Sequence, residues 1–137
     1  MPLKRVPTTT HQTKGVRIVR KGNKHIPIFY DKPAVVKARA DFKRGLIPYI
    51  PKEELKGPIR LMTKWLYQRT GDWKDGQYKT TKPDTDNSIK LLKDEMTALK
   101  YWNDDAQVAS EITEKFYSDV TGIFVRIESI QEERINT

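Results

Sequence analysis

The chain has 137 residues, no cysteine and a formal net charge of +8, a size that suits a single domain over residues 1–137. The lack of cysteine excludes disulfides and cysteine-ligated zinc, and the lack of an apolar run of about 18 residues predicts that no segment crosses a membrane. Residues 1–20 are basic without the apolar stretch of a signal peptide, so we expect a cytoplasmic protein.

The N-terminal part of the chain predicts an arm followed by a hairpin. Residues 1–14 are polar and show no periodicity, which is typical of an arm. Residues 16–20 and 26–30 predict two short strands, and Gly22-Asn23 between them suits a tight turn. We therefore expect these two strands to pair as a hairpin.

A proline and a glycine mark the ends of the first predicted helix. Pro33 suits the first turn, where its missing N–H leaves no hydrogen bond unmade. Val35, Ala38 and Phe42 recur at helical spacing and predict the buried face. Gly45 is expected to end the helix, and a loop rich in proline and glycine follows.

The clearest strand is predicted over residues 59–68, where apolar side chains alternate and only Thr63 interrupts the buried face. After a polar loop, residues 69–82, a second helix is predicted to have Asp86 or Asn87 as its N-cap. The buried stripe of this helix is expected to comprise Ile89, Leu92, Met96 and Leu99.

The C-terminal part predicts two more strands, residues 108–117 and 123–130, paired as a closing hairpin around residues 118–122. Residues 131–137 are polar and are expected to form a frayed tail. The order of elements is therefore ββ-α-β-α-ββ. This order predicts an α+β or mixed α/β domain with two main helices packed on a mixed sheet.

Charge is distributed unevenly along the chain. Residues 1–82 hold twenty Lys and Arg against six Asp and Glu, a local charge of +14, whereas residues 83–137 hold six against twelve, a local charge of −6. A basic half is either a solvated surface or a surface that neutralises the phosphates of a polyanion. The most exposed candidates for phosphate contact are Lys37, Arg39, Lys43, Arg44, Lys74 and Lys79, with Lys82 as a further one.

Two acidic clusters flank the second predicted helix. Asp84 and Asp86 are two residues apart, and in an extended segment alternate side chains point the same way, so both carboxylates can reach one point. Asp104 and Asp105 reach them only if the chain folds back beyond the helix. Carboxylate clusters suit a hard cation such as Mg²⁺, which also binds phosphate oxygens. Lys90, one turn after Asp86, can offset charge on a pentacovalent phosphate.

The same residues also have structural explanations. Asp-x-Asp at a helix start is most often an N-cap, and Asp104-Asp105 suits a turn. Lys90 can form an i,i+4 pair with Asp86 or Asp94. The tryptophans are expected in the core or at an interface more often than as base-stacking platforms: Trp65, Trp73 and Trp102.

Two motifs resemble the signature of the RusA family of Holliday junction resolvases. Residues 82–90, KPDTDNSIK, and residues 102–108, WNDDAQV, match its pattern in order and spacing. The pattern is Asp-x-Asp-Asn, a lysine four residues after the second Asp, a helix, and then Asp-Asp-x-Gln-Val. Asp94 and Lys115 match further family positions, and residues 57–61 resemble phage and prophage members.

The resemblance implies a metal-dependent endonuclease that resolves four-way branched DNA by paired nicks in opposing strands. It implies a homodimer, and Mg²⁺ as the cofactor with Mn²⁺ as a substitute. The implied metal ligands are Asp84, Asp86 and Asp105, with Lys90 as a catalytic lysine. Supporting roles are implied for Asn87, Asp94, Asp104 and Lys115.

Two other functions stay open at this point. One is a metal-dependent nuclease that acts on other branched DNA, such as forks or flaps. The other is a non-catalytic DNA-binding protein in which the basic half binds phosphates and the carboxylates cap helices. For a dimer, the apolar residues of 123–130 are the expected interface.

Overall fold

The computed structural model describes residues 1–8 and 14–132. In chain order these form β1 (Lys14–Lys21), β2 (Lys24–Asp31), α1 (Pro33–Leu46), β3 (Ile59–Gln68), α2 (Thr85–Ala98), β4 (Val108–Ser118) and β5 (Gly122–Ser129). Short 3₁₀ turns, Ile47–Tyr49 and Asp105–Gln107, follow α1 and precede β4. The predicted α+β class and element order are confirmed. No helix in the described part is long and apolar enough to cross a membrane.

The predicted N-terminal hairpin is present as a separate two-stranded sheet. β1 and β2 pair antiparallel from Lys14↔Asp31 to Lys21↔Lys24, which places Gly22-Asn23 in the turn. Most side chains of the hairpin are exposed, including Ile18 at 67% and Phe29 at 68%. The hairpin therefore presents apolar side chains to solvent.

The main sheet has the strand order β4-β3-β5, in which β3 runs parallel to β4 and antiparallel to β5. The predicted closing hairpin is therefore wrong: β4 and β5 form near their expected positions, but β3 lies between them. The link at residues 119–121 can join them because two strand spacings amount to only about 10 Å.

The core lies between the inner face of the main sheet and the two helices. β3 alternates in burial as its sequence predicts, and every second residue from Ile59 to Tyr67 is buried. The predicted face of α1 is buried, and so is the stripe of α2, except that Leu99 is only partly buried. The largest fully buried side chains are Trp65, Trp102, Tyr101 and Phe42.

Two threonine hydroxyls satisfy the indole N–H groups of this core. Trp65 Nε1 donates to Thr63 Oγ1 at 2.9 Å, and Trp102 Nε1 donates to Thr97 Oγ1 at 2.7 Å. Thr63 is fully buried. The polar interruption in the β3 pattern is thus an acceptor that a buried tryptophan requires.

The first helix does not end at Gly45, as its glycine predicts, but one residue later at Leu46. A Cβ built on Gly45 would lie 2.5 Å from Met1 Cγ. The glycine therefore accommodates the close approach of the N-terminus rather than a left-handed turn.

Part of the predicted N-terminal arm is attached to the domain. Met1 and Ile123 exchange backbone hydrogen bonds, with the Met1 amino group donating at 3.1 Å and the Ile123 N–H at 3.0 Å. Val6 is buried in the core. The rest of the arm at 9–13, and the predicted tail from 133 onward, lie outside the described residues.

We predict that Thr63→Val lowers the free energy of unfolding by about 1–3 kcal/mol, because it leaves the Trp65 indole N–H buried without an acceptor. Urea denaturation measures the loss. Thr80→Val is the matched control, because Thr80 is exposed and the same change there should stay within about 0.5 kcal/mol of the parent. Equal stabilities of the two variants would contradict this role of Thr63.

Candidate active site

The second helix begins earlier than the sequence predicts. Its N-cap is Asp84, with φ −69° and ψ 145°, and Asp86 lies in the first turn. The predicted cap at Asp86 or Asn87 is therefore wrong, and so is the argument that Asp84 and Asp86 share an extended segment. Several residues here are good N-caps, so local preference alone does not select one.

One face of α2 and the start of β4 enclose an open groove of about 460 Å³. Its lining residues are Asp86, Asn87, Ile89, Lys90, Lys93, Asp105 and Glu111. The helical members at 86, 90 and 93 are spaced by four and three residues, so they share one face. The chain thus folds back beyond the helix and brings Asp86 and Asp105, one residue from each acidic cluster, to the same groove.

The two neighbouring aspartates of the second cluster have different surroundings. Asp104 Oδ1 accepts a hydrogen bond from the Ala106 backbone N–H at 2.9 Å and caps the 3₁₀ turn. Gln107 Oε1 accepts from the Asp104 N–H at 3.1 Å, and its amide donates to the Leu55 carbonyl at 3.0 Å. Asp104 is therefore engaged in the turn, whereas Asp105 lines the groove.

Lys93 and Glu111 are groove residues that the sequence analysis does not single out. Lys93 Nζ lies 2.7 Å from Glu111 Oε2, in an ion pair that joins α2 to β4. The helical spacing from Lys90 to Lys93 indicates that both lie on one face. Glu111 has no comparable signal, because its position depends on how β4 packs beside α2.

Lys115 holds the segment that leads to Asp84. Its Nζ donates to the Thr81 carbonyl at 2.6 Å and to the Pro83 carbonyl at 2.8 Å. Burial, and secondly the charge of Lys79, lowers the pKa of the Lys115 ammonium, which the Asp84 carboxylate opposes. Asp84 itself is exposed and does not line the groove.

The groove offers oxygen donors, which are the type of ligand that a hard cation prefers. Asp86, Asp105 and Asn87 offer oxygen atoms, and Mg²⁺ commonly takes only one or two carboxylates beside water and phosphate oxygens. Within residues 1–8 and 14–132, no three His, Cys, Asp or Glu side chains are close enough to hold a metal by themselves. The predicted triad that includes Asp84 is therefore not assembled in this conformation.

The candidate phosphate-binding residues differ in exposure. Lys37, Lys43, Arg44, Lys74 and Lys82 are exposed. Two candidates are less accessible than the sequence predicts, because Arg39 is only 27% exposed and Lys79 is partly buried.

Arg39 connects the two helices. It contacts Glu95 at 3.0 Å and Asp94 at 3.9 Å. Lys43 adds a 3.7 Å contact to Glu95, whose side chain is only 6% exposed. Asp94 is thus engaged between the helices and is not among the residues that line the groove.

Comparison with known proteins identifies the family of the chain. The family model described as Endodeoxyribonuclease RusA matches residues 5–128. The crossover junction endodeoxyribonuclease rusA of Lactococcus phage r1t is 36% identical over 102 residues, which cover 73% of this chain and 73% of that relative. The family match spans both acidic clusters and the groove. The chain therefore belongs to the RusA family of endodeoxyribonucleases.

Proposed function

We propose that the protein is a metal-dependent endonuclease that resolves Holliday junctions by paired nicks in opposing strands. Membership of the RusA family supports the nuclease class, and the relative from phage r1t is named for crossover junctions. The observation that best supports a cleavage site is that Asp86, Asp105 and Lys90 line the same groove.

Asp86 and Asp105 are the proposed ligands of Mg²⁺, or of Mn²⁺ as a substitute, and Asn87 adds an amide oxygen beside them. When bound, such an ion supplies an activated water and withdraws charge from the phosphodiester. Asp84 is the third proposed ligand. Its carboxylate stands at the N-cap of α2, two residues from Asp86, and reaches the ion only after a local rearrangement.

Lys90 has the charge and position to act on the substrate rather than on the metal. It is exposed on the groove and lies one helical turn from Asp86. Its ammonium can donate hydrogen bonds to a phosphate oxygen and offset the charge that develops during attack. Lys93 is paired with Glu111, so Lys90 is the groove lysine better placed to contact a phosphate.

A two-fold dimer is part of the proposal, since paired nicks require two sites with matching symmetry. The exposed apolar side chains of the β1–β2 hairpin support it as the interface better than residues 123–130. Ile123 is buried, Val125 and Ile127 pack against the core, and Phe124 is 48% exposed. On the hairpin, Ile18 and Phe29 expose about two thirds of their surface.

The first prediction compares the adjacent aspartates. Asp105→Asn should lower the cutting rate of a synthetic four-way junction by roughly two or more orders of magnitude, because the amide is a poor ligand for a hard cation. Asp104→Asn should cut almost normally, because Asn and Asp cap equally well. Gel assays with Mg²⁺ measure cutting, and anisotropy should show that both variants still bind the junction.

Equal activity of Asp105→Asn and Asp104→Asn, both folded, would reject the metal-site assignment. The same assay on fork, flap and linear duplex distinguishes a junction resolvase from a nuclease for other branched DNA. Faster cutting of forks or flaps than of junctions would replace the proposed substrate while leaving the metal site in place.

The second prediction concerns salt. If two to five of the exposed basic residues contact phosphates, log affinity against log salt should have a slope between about −2 and −4.5. Lys74→Ala should make the slope less steep by about 0.9. Lys52→Ala, in the exposed loop before β3, is the control and should leave it unchanged. A wild-type slope near zero would rule out the electrostatic interpretation.

The third prediction concerns the dimer. Light scattering at micromolar concentration should give the mass of a dimer, and Ile18→Glu should give a monomer because it introduces a charge into the apolar interface. Val36→Glu is the control, since Val36 is 55% exposed but lies on α1. If the Ile18→Glu protein is still a dimer, the interface does not include the hairpin. If the wild-type protein is a monomer both alone and on the junction, the proposal of a dimer is wrong.

A further inference from the structure

The three tryptophans of the chain lie in different environments. Trp65 and Trp102 are fully buried, as expected for core residues, whereas Trp73 is 40% exposed. Trp73 lies in the polar loop of residues 69–82, which connects β3 to Asp84. Of the two environments expected for the tryptophans, core or interface, Trp73 does not occupy the core, and its exposed ring needs an explanation.

Trp73 is held against a buried aromatic ring. It stacks on Tyr117 with ring centroids 4.8 Å apart and an interplanar angle of 19°. Tyr117 is only 5% exposed, so the tryptophan rests on a surface that belongs to the domain. Lys79 Nζ lies 5.0 Å from the centroid of the same Tyr117 ring. The stacked Trp73 and Tyr117 rings therefore form one aromatic group with a lysine beside it.

The loop that holds Trp73 is attached to the outer edge of β4. The Gly76 N–H donates to the Tyr117 carbonyl, and the Tyr117 N–H donates to the Gln77 carbonyl, both at 2.8 Å. Tyr78 stacks on Phe116 with centroids 4.7 Å apart. These contacts pair backbone groups at the edge of β4 that would otherwise lack a partner in the sheet. The loop that carries Trp73 is therefore held in place by backbone hydrogen bonds.

The ring on which Trp73 stacks contacts the segment that leads to Asp84, the third proposed metal ligand. The Tyr117 hydroxyl is 3.4 Å from Thr81 Oγ1. Thr81 precedes Asp84 by three residues, a span of at most about 11 Å.

The charge of the loop favours an anionic ligand. Residues 69–82 contain four basic and two acidic residues. Asp75 Oδ1 accepts a hydrogen bond from the Asp119 N–H at 2.9 Å, and the Asp119 carboxylate pairs with Arg69 at 2.8 Å. Lys74, next to Trp73 in the sequence, is exposed, and so is Lys82 at the end of the loop. An exposed aromatic ring among cations is the combination that binds unpaired nucleic acid, where a base stacks and lysines contact the backbone.

We infer that Trp73 is a stacking platform for a nucleobase whose face is exposed at the branch point of the DNA. The inference rests on the proposed function, because the continuous base stack of a duplex is interrupted at a branch point. Stacking does not read the identity of the base. The role of Trp73 is therefore to hold the strand against the loop that leads to Asp84.

Intrinsic tryptophan fluorescence tests this directly, since Trp65 and Trp102 are buried. The Asp105→Asn protein keeps the junction uncut while anisotropy follows its binding. Saturation with the junction should quench the exposed component of the emission and protect it from acrylamide. In the Trp73→Phe protein on the same background, the junction should still bind but the quenching should be absent. Unchanged emission at saturation would overturn the inference.

Affinity gives an independent readout. Trp73→Ala should weaken junction binding by roughly 5- to 150-fold, the range expected for one stacked base, whereas Trp73→Phe should retain most of the affinity. Tyr49→Ala is the control, because Tyr49 is 74% exposed but lies after α1, and it should bind like the parent. A Trp73→Ala protein with parental affinity would reject the platform.

The outcomes separate this inference from the proposed function. Normal junction cutting by a protein whose Trp73 neither quenches nor affects binding would reject the platform alone. A wild-type protein that neither binds nor cuts branched DNA would reject both. Acrylamide protection that rises with protein concentration and not with DNA would assign Trp73 to a contact with a second copy, which also overturns the inference.

Discussion

The pairing of β3 with a strand on each side is the constraint on which the rest of the structure depends. β3 is buried along its inner face and hydrogen-bonded to β4 and β5, so the chain must return to lay β4 parallel to it. A parallel return requires a crossover, and α2 provides it. The crossover brings the 3₁₀ turn before β4 against one face of α2, and this contact creates the groove that holds Asp86 and Asp105.

Residues next to the proposed catalytic groups fix both ends of that groove. At one end, Lys115 on β4 holds the carbonyls of Thr81 and Pro83 just before α2 begins. At the other, Asp104 and Gln107 close the 3₁₀ turn and attach it to the Leu55 carbonyl. Such contacts orient ligand-bearing residues without touching the ligand. The second acidic motif therefore contains positioning residues as well as a proposed ligand, whereas the first motif is held in place by Lys115, which lies outside both motifs.

The sequence predicts the elements well because periodicity depends on local pattern, and β3 and the hairpin turn illustrate this. Strand pairing depends on which strand has most apolar surface to bury, so the exclusion of a β4–β5 hairpin could not be read from turn residues. The N-cap at Asp84 and the extra helical residue after Gly45 depend on contacts with Lys115 and Met1. The contacts that cap the 3₁₀ turn at Asp104 are local, since they involve Ala106 and Gln107, whereas the place of Asp105 on the groove depends on how the start of β4 packs beside α2.

Charge in the groove links the proposed metal to the proposed substrate. Lys93 and Glu111 neutralise each other in their ion pair, which leaves Asp86 and Asp105 against Lys90, a net charge of −1. A phosphodiester is also negative, so the groove alone repels the group that it must hold. A divalent cation changes the net charge of these groove residues from −1 to +1, or, with Asp84 counted as the third ligand, from −2 to zero, and in both cases it removes the repulsion. Under the proposed function, metal and DNA therefore bind with positive coupling, and the basic surface has to hold the rest of the DNA beside a centre that repels it until the metal is bound.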